Sequence, residues 1–159
     1  MAHSPIPRHH LLLLLDEPVL SDLTAFRLEL LGYSVLVSSD GDDALKRIED
    51  QRPALLLLNS NLGEQDGLIW LTKLRARISP EDLPVLIISL DPSLDTVRRS
   101  FEAGAQDYLI SPFDPTVLER KVANFVDADQ ISAEEERRSG MMVSIEAIAA
   151  APAKLEPTS

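Results

Sequence analysis

Apolar residues fall in two alternating rhythms along this chain. Five short runs, at residues 10–15, 33–37, 54–58, 84–89 and 106–110, are continuous or nearly so and are rich in Leu, Ile and Val. Runs of that length, bounded by turn chemistry, predict strands buried on both faces, as in a parallel sheet. Between them apolar positions recur every three or four residues. Val19, Leu23, Phe26 and Leu30 follow Pro18; Ala44, Leu45 and Ile48 follow Ser39-Asp40-Gly41-Asp42; Leu68, Leu71 and Leu74 follow Asp66-Gly67. Val97 and Phe101, with Leu94 a further candidate, follow Asp91-Pro92, and Leu118, Val122 and Phe125 follow Asp114-Pro115. Each stripe predicts one core-facing helix side, opened by a capping residue or a first-turn proline. Lys73, Arg75 and Arg77 are expected to face water, and Gly32 and Gly104 to end their helices in the left-handed conformation.

Five strand–helix alternations with short connections predict an α/β fold. The expected architecture is a flavodoxin-like (βα)5 doubly wound, five-stranded parallel sheet over residues 9–127. Residues 1–8 hold two prolines and no periodicity, and predict a flexible terminus. Residues 128–159 predict a short C-terminal tail, partly helical or disordered. Ser132-Ala133-Glu134-Glu135 has the form of a capping box, and Met141, Ile145 and Ile148 would share a helical face. That face reads either as a partner-binding helix or as a frayed end, since isolated helices this short are marginal.

Composition narrows the function classes. Without cysteine there is no disulfide, thiolate metal site or cysteine nucleophile. The histidines His3, His9 and His10 lie near the amino terminus, without a complete ligand set at zinc spacing. A formal charge of −11 disfavours a nucleic-acid partner. The apolar run 11–15 is too short for a signal peptide or a membrane span, so a cytoplasmic protein is expected.

In parallel sheets, chemistry sits just beyond the carboxyl ends of the strands. The stretch Leu55-Leu56-Leu57-Leu58-Asn59-Ser60-Asn61-Leu62-Gly63-Glu64-Gln65-Asp66-Gly67 places Asn59 there. It is joined, in order, by Leu14-Leu15-Asp16-Glu17-Pro18, Gly32-Tyr33-Ser34-Val35, Asp40-Gly41-Asp42-Asp43-Ala44-Leu45, Pro84-Val85-Leu86-Ile87-Ile88-Ser89, Gly104-Ala105-Gln106-Asp107-Tyr108-Leu109 and Ser111-Pro112-Phe113-Asp114. Together these resemble the CheY-like receiver domains of two-component response regulators, over about three quarters of the chain.

The resemblance implies an acidic pair and a phosphorylatable Asp holding Mg²⁺, with a hydroxyl and a Lys binding the phosphoryl oxygens. On this chain the acidic pair falls on Leu15 and Asp16, the phospho-acceptor on Asn59, the hydroxyl on Ser89, the Lys on Ser111 and the aromatic switch on Tyr108. Asp16 and the carbonyl of Asn61 are the remaining metal candidates, too few for a hard divalent cation that wants carboxylates. A neutral amide is a poor nucleophile, and serine cannot supply the lysine's charge. A degenerate pseudo-receiver is therefore expected, with no enzymatic activity, no cofactor and weak or absent Mg binding. Asn59, Asp16, Ser89 and Ser111 are expected to hydrogen-bond among themselves and hold the loops, or else to bind a ligand. Tyr108 either marks a partner surface or packs at a sheet edge.

The expected function is a phosphorylation-independent protein-interaction module in two-component-type signal transduction. With no output domain in the sequence, the signal would pass by binding. The partner would be a protein, or a second copy through the face of the fourth helix, fifth strand and fifth helix (91–103, 106–110, 114–126), made basic by Arg98, Arg99, Arg120 and Lys121; no membrane is implied. Two alternatives stay open: weak Mg-dependent phosphoryl acceptance at a nonstandard residue such as Ser60, and small-molecule binding at the same crevice. Acids in the loop 16–19 argue against a phosphate-bearing ligand there.

Overall fold

The computed structural model describes residues 9–126. The expectations for residues 1–8 and 127–159 lie outside the described residues. In chain order the elements are β1 (His10–Leu14), α1 (Pro18–Leu30), β2 (Ser34–Ser38), α2 (Gly41–Asp50), β3 (Leu55–Asn59), β4 (Asn61–Leu62), β5 (Gln65–Asp66), α3 (Gly67–Arg75), β6 (Val85–Ser89), α4 (Leu94–Ala103), β7 (Asp107–Ile110) and α5 (Pro115–Val126). Five strands form one parallel sheet in the order β2-β1-β3-β6-β7, the doubly wound flavodoxin-like arrangement expected from the alternation.

The leucine runs explain the register. Leu11–Leu14 pair with Leu55–Leu58, and successive side chains turn to opposite faces of the sheet. Leu12, Leu14, Leu56, Leu58, Val85 and Ile87 meet Ala44 and Ile48 of α2 and Leu68, Leu71 and Leu74 of α3 on one face. Leu11, Leu13, Leu55, Leu57, Leu86 and Ile88 meet Leu28 of α1 and Leu118, Val122 and Val126 of α5 on the other. The two-residue strands β4 and β5 form a hairpin around Gly63 in the connection from β3 to α3.

Three expectations are corrected. The stripe assigned to the core side of α1 faces outward: Val19 is 63% exposed, Leu23 58%, Phe26 59% and Leu30 70%. Ser21, Thr24 and Leu28 lie against the sheet instead. The connections into and out of α1 are short. They fix its rotation, and Leu28 packs with Tyr33 under β2 while Arg27 Nε donates to Glu119 Oε2 of α5 at 2.6 Å. Side-chain pattern alone did not reveal that constraint.

In α4, Leu94 and Phe101 are exposed, and the buried residues are Thr96 and Ser100. The helix starts at Leu94 under the cap Ser93, because Asp91 is occupied in the preceding turn, accepting from Ser93 N at 2.9 Å and Thr96 Oγ1 at 2.6 Å. Arg75, expected in water, is half-buried. Its Nε and Nη2 donate to Gly104 O at 2.9 and 2.8 Å, and Nη2 also donates to Gln106 Oε1 at 2.9 Å. A guanidinium fork suits that pair of carbonyl oxygens, and it ties α3 to the turn between α4 and β7.

Candidate functional site at the carboxyl edge of the sheet

The carboxyl ends of β1, β3, β6 and β7 converge on a cleft of about 580 Å³. Asp16, Asn59, Ser60, Asn61, Ser89 and Ser111 line it, so the sheet brings together all but two of the positions singled out in the sequence. Leu15 is not in the cleft; its side chain is 2% exposed and packs in the core beneath α1 and α5. Tyr108 reaches the same edge from β7. Its ring packs against the core and its hydroxyl donates to the Asp91 carbonyl in the turn after β6.

Asn59 ends β3 and is held from both sides. Its Oδ1 accepts from Asp16 N in the loop after β1, and its Nδ2 donates to Ile88 O of β6 at 3.0 Å. A carboxamide has both a donor and an acceptor, whereas an ionised carboxylate has only acceptors. An Asp side chain in this pose would turn an oxygen toward the Ile88 carbonyl. Thus Asn59 staples three strands by virtue of being an amide.

A second knot lies beside it. Ser60 is buried, and its Oγ donates to Ser89 Oγ at 2.7 Å. Ser89 Oγ in turn accepts from Asp91 N at 3.0 Å, and Ser89 O accepts from Ser111 N at 2.8 Å. Ser111 thus enters the network through its backbone, just before the cis Ser111-Pro112 peptide. Asn59 bonds with Asp16, while Ser89 bonds with Ser60. Sequence reasoning named Ser60 only as a spare nucleophile and missed this pairing. The available signal was a serine immediately past Asn59, where alternation turns the side chain back toward the sheet interior. Gly67 completes the packing: a Cβ there would stand 2.2 Å from Asn59 O, so only glycine lets α3 begin this close to the end of β3.

The electrostatics of the cleft are one-sided. Its lining includes the carboxylates Asp16, Glu17 and Asp91 and no lysine or arginine. The Thr96 hydroxyl and the Ser93 amide hold the Asp91 carboxyl below its ordinary value, so it stays charged. Glu17 Oε1 accepts from Leu20 N at 2.7 Å and caps α1. Arg99, whose charge also helps to lower the Asp91 carboxyl, is paired with Asp66 at 3.2 Å. Among the described residues no three His, Cys, Asp or Glu side chains group closely enough to hold a metal ion. The donors at the cleft do not make the carboxylate set that Mg²⁺ favours. A separate groove of about 400 Å³ between α2 and α3, beside Trp70, contains none of the site positions named from sequence.

Residues 11–123 match the model of the response regulator receiver domain. Among curated relatives, the probable transcriptional regulator ycf27 of Cyanidium caldarium is 33% identical over 75% of this chain and 47% of its own length. The alkaline phosphatase synthesis transcriptional regulatory protein PhoP of Bacillus subtilis is 33% identical over 74% of this chain and 48% of its own. The chain thus spans about half the length of the curated relatives it matches. Among solved structures, a putative response regulator from Chloroflexus aurantiacus superposes with a TM-score of 0.69 at 29% identity, covering 75% of this chain and 98% of that one. The BeF3-activated receiver domain of Klebsiella pneumoniae RstA gives 0.68 at 26% identity, covering 74% and 97%.

Proposed function

The chain belongs to the response regulator receiver family of two-component signalling, and from that premise we propose that it is a pseudo-receiver: a protein-interaction module that works without phosphorylation. The observation that carries this reading is the state of the acceptor position. Asn59 is an amide bonded on both sides, at the rim of a cleft lined by three carboxylates and no cation. A dianionic phosphoryl group would meet like charge there instead of the lysine and metal that offset it in the family. On this reading the protein is not an enzyme, takes no cofactor, and binds Mg²⁺ weakly or not at all.

The alternative acceptor, Ser60, is disfavoured by its geometry. Its hydroxyl is buried and already donates to Ser89, with no general base in reach among its bonds. A phosphate-bearing small molecule is disfavoured by the same acids that line the cleft.

The names of the curated relatives speak of transcriptional regulation. For this chain the charge of −11 favours contact with protein over contact with a phosphate backbone. Among the described residues no helix is long and apolar enough to cross a membrane, which fits a cytoplasmic module. A homodimer through α4, β7 and α5 remains part of the proposal. Three of its basic residues form ion pairs within the domain, Arg98 with Asp95, Arg99 with Asp66 and Lys121 with Asp107, and Arg120 is exposed.

Incubation of the full chain with acetyl phosphate and Mg²⁺, followed by intact mass, tests the reading. An unmodified chain is the expected result. A phosphoryl adduct that maps to the segment around Asn59 and Ser60 overturns it.

A further inference from the structure

The groove between α2 and α3 joins an aromatic wall to an uncompensated charge. Leu74 lies buried at its base, Leu45 is half-buried, and Ile69 is 54% exposed at its lip. Trp70, the single tryptophan of the chain, lines it as well. The indole is seated against the start of α2. Its Nε1 donates to Gly41 O at 3.2 Å, and a Cβ at Gly41 would stand 2.7 Å from that nitrogen. With its N–H satisfied, the ring offers the groove aromatic carbon. A cavity of about 400 Å³ is of the size that takes small molecules, and such sites combine apolar walls with a few placed polar groups.

The charged groups along the groove decide what fits it. Arg77 Nη1 donates to Glu49 Oε2 at 2.6 Å. Asp66 caps α3 through Oδ1, which accepts from Leu68 N at 2.8 Å, and its Oδ2 pairs with Arg99. Asp42 and Lys73 remain, both exposed and neither in an ion pair among the described residues. Asp42 stands in the first turn of α2, where Gly41 approaches Gln65. Lys73 lies about 10 Å further along α3 than Asp66. It follows Ile69 and Trp70 at helical spacing, so a ring laid over those two side chains has its edge beside the lysine. The long stem of Lys73 lets the ammonium swing over the groove, whereas the short Asp42 side chain stays on the opposite helix.

We propose that the α2–α3 groove binds a small planar aromatic carboxylate, its ring packed on Trp70 and Ile69 and its carboxylate held by Lys73. Ring contact supplies the buried area, and the charge-assisted bond to the ammonium fixes which end of the ligand lies where. Asp42 repels a second anionic group at the other end, so the site selects a monoanion. This inference goes beyond the interaction-module reading and does not rest on it. The two fail separately, because phosphoryl acceptance is read at the cleft and ligand binding is read at Trp70.

The test titrates the full chain with naphthoate, with neutral naphthamide and with cationic naphthylmethylammonium, followed in amide spectra. A single tryptophan gives a single indole N–H resonance, which reports on the groove without further assignment. Naphthoate should shift that resonance and the amides of Ile69 and Lys73 saturably, with a Kd of about 1 mM or tighter, and leave Asn59 and Ser89 in place. Naphthamide and the ammonium compound should bind about fivefold more weakly. Lys73→Gln should weaken naphthoate by a similar factor and leave naphthamide unaffected, while Lys73→Arg should restore naphthoate binding. Lys73 is exposed, so thermal unfolding should be nearly unchanged in both variants. No saturable shift, equal binding of the three probes, or a Lys73→Gln loss shared by naphthamide overturns the proposal. Tighter binding of the ammonium compound overturns it in favour of Asp42, and shifts confined to Asn59, Ser89 and Ser111 overturn it in favour of the cleft. An indole resonance that moves with protein concentration in the free chain overturns it as well, assigning the groove to a second copy.

Discussion

The carboxyl-edge cleft and the outer face of α1 lie a few residues apart in sequence and have opposite characters. In the cleft, polar groups that could serve a ligand are turned on one another: Asn59 on Asp16 and Ile88, Ser60 on Ser89, Tyr108 on Asp91. On α1, apolar groups that could serve the core are turned to water, while Ser21 and Thr24 take the inward places. Hydrogen-bonded polar groups in a closed network leave little for a small charged ligand to gain, since binding must first break them. An exposed apolar ridge has no competing internal partner, so covering it yields the full benefit of removing it from water. The difference teaches that the same fold closes its polar crevice by internal hydrogen bonds and leaves an apolar helix surface uncovered.

The largest expected effect attacks the closed side of that comparison. Asn59→Ala removes the staple and leaves Asp16 N and Ile88 O without their partner, at a cost of about 2 kcal/mol in denaturant unfolding. A change within experimental error would mean that the network does not hold the strand ends together.

A smaller effect of opposite sign is expected on α1. Among the described residues Ser21 Oγ is buried without a hydrogen-bond partner. Ser21→Ala should therefore stabilise the fold by about 1 kcal/mol, read as a higher denaturant midpoint with an unchanged slope. Loss of stability would show that the inward polar face of α1 is satisfied and its rotation favoured by more than the short connections.

The smallest effect concerns pH at the cleft's edge. Thr96 and Ser93 lower the Asp91 carboxyl below its ordinary value of 3.8. A carboxyl depressed in the folded state contributes stability above the unfolded value and loses it as pH falls through the folded one. Asp91→Asn should thus be less stable than the parent at neutral pH, with the gap closing below pH 3.8. A gap that is constant across that range would mean that the charge on Asp91 contributes nothing to the turn before α4.

The sheet was legible in the sequence because strands buried on both faces need continuous apolar runs, and Leu11–Leu14 and Leu55–Leu58 satisfy both core layers at once. Strand limits differ from the expected ones by about a residue. The acceptor-position residues were legible through family order, which located Asn59, Asp16, Ser89 and Ser111 at one edge. Helix rotation was legible in α2, α3 and α5, whose stripes face the core, and not in α1 or α4. A four-residue apolar spacing fits an inward or an outward ridge equally well, and in α1 the choice is made by connections and by Leu28 and Arg27 contacts distant in sequence. Arg75 was misread for a related reason: its partners, the Gly104 carbonyl and Gln106, lie about thirty positions away. The Ser60–Ser89 bond likewise joins two strand ends that only the β3–β6 register brings together.

The central claim is that the Asn59 cleft no longer answers to a phosphoryl group. The most direct measurement is the amide spectrum of the full chain titrated with beryllofluoride and Mg²⁺. The account predicts no saturable shifts at Asn59, Ser89, Ser111 or Tyr108. Saturable shifts at those amides, dependent on Mg²⁺, would contradict it.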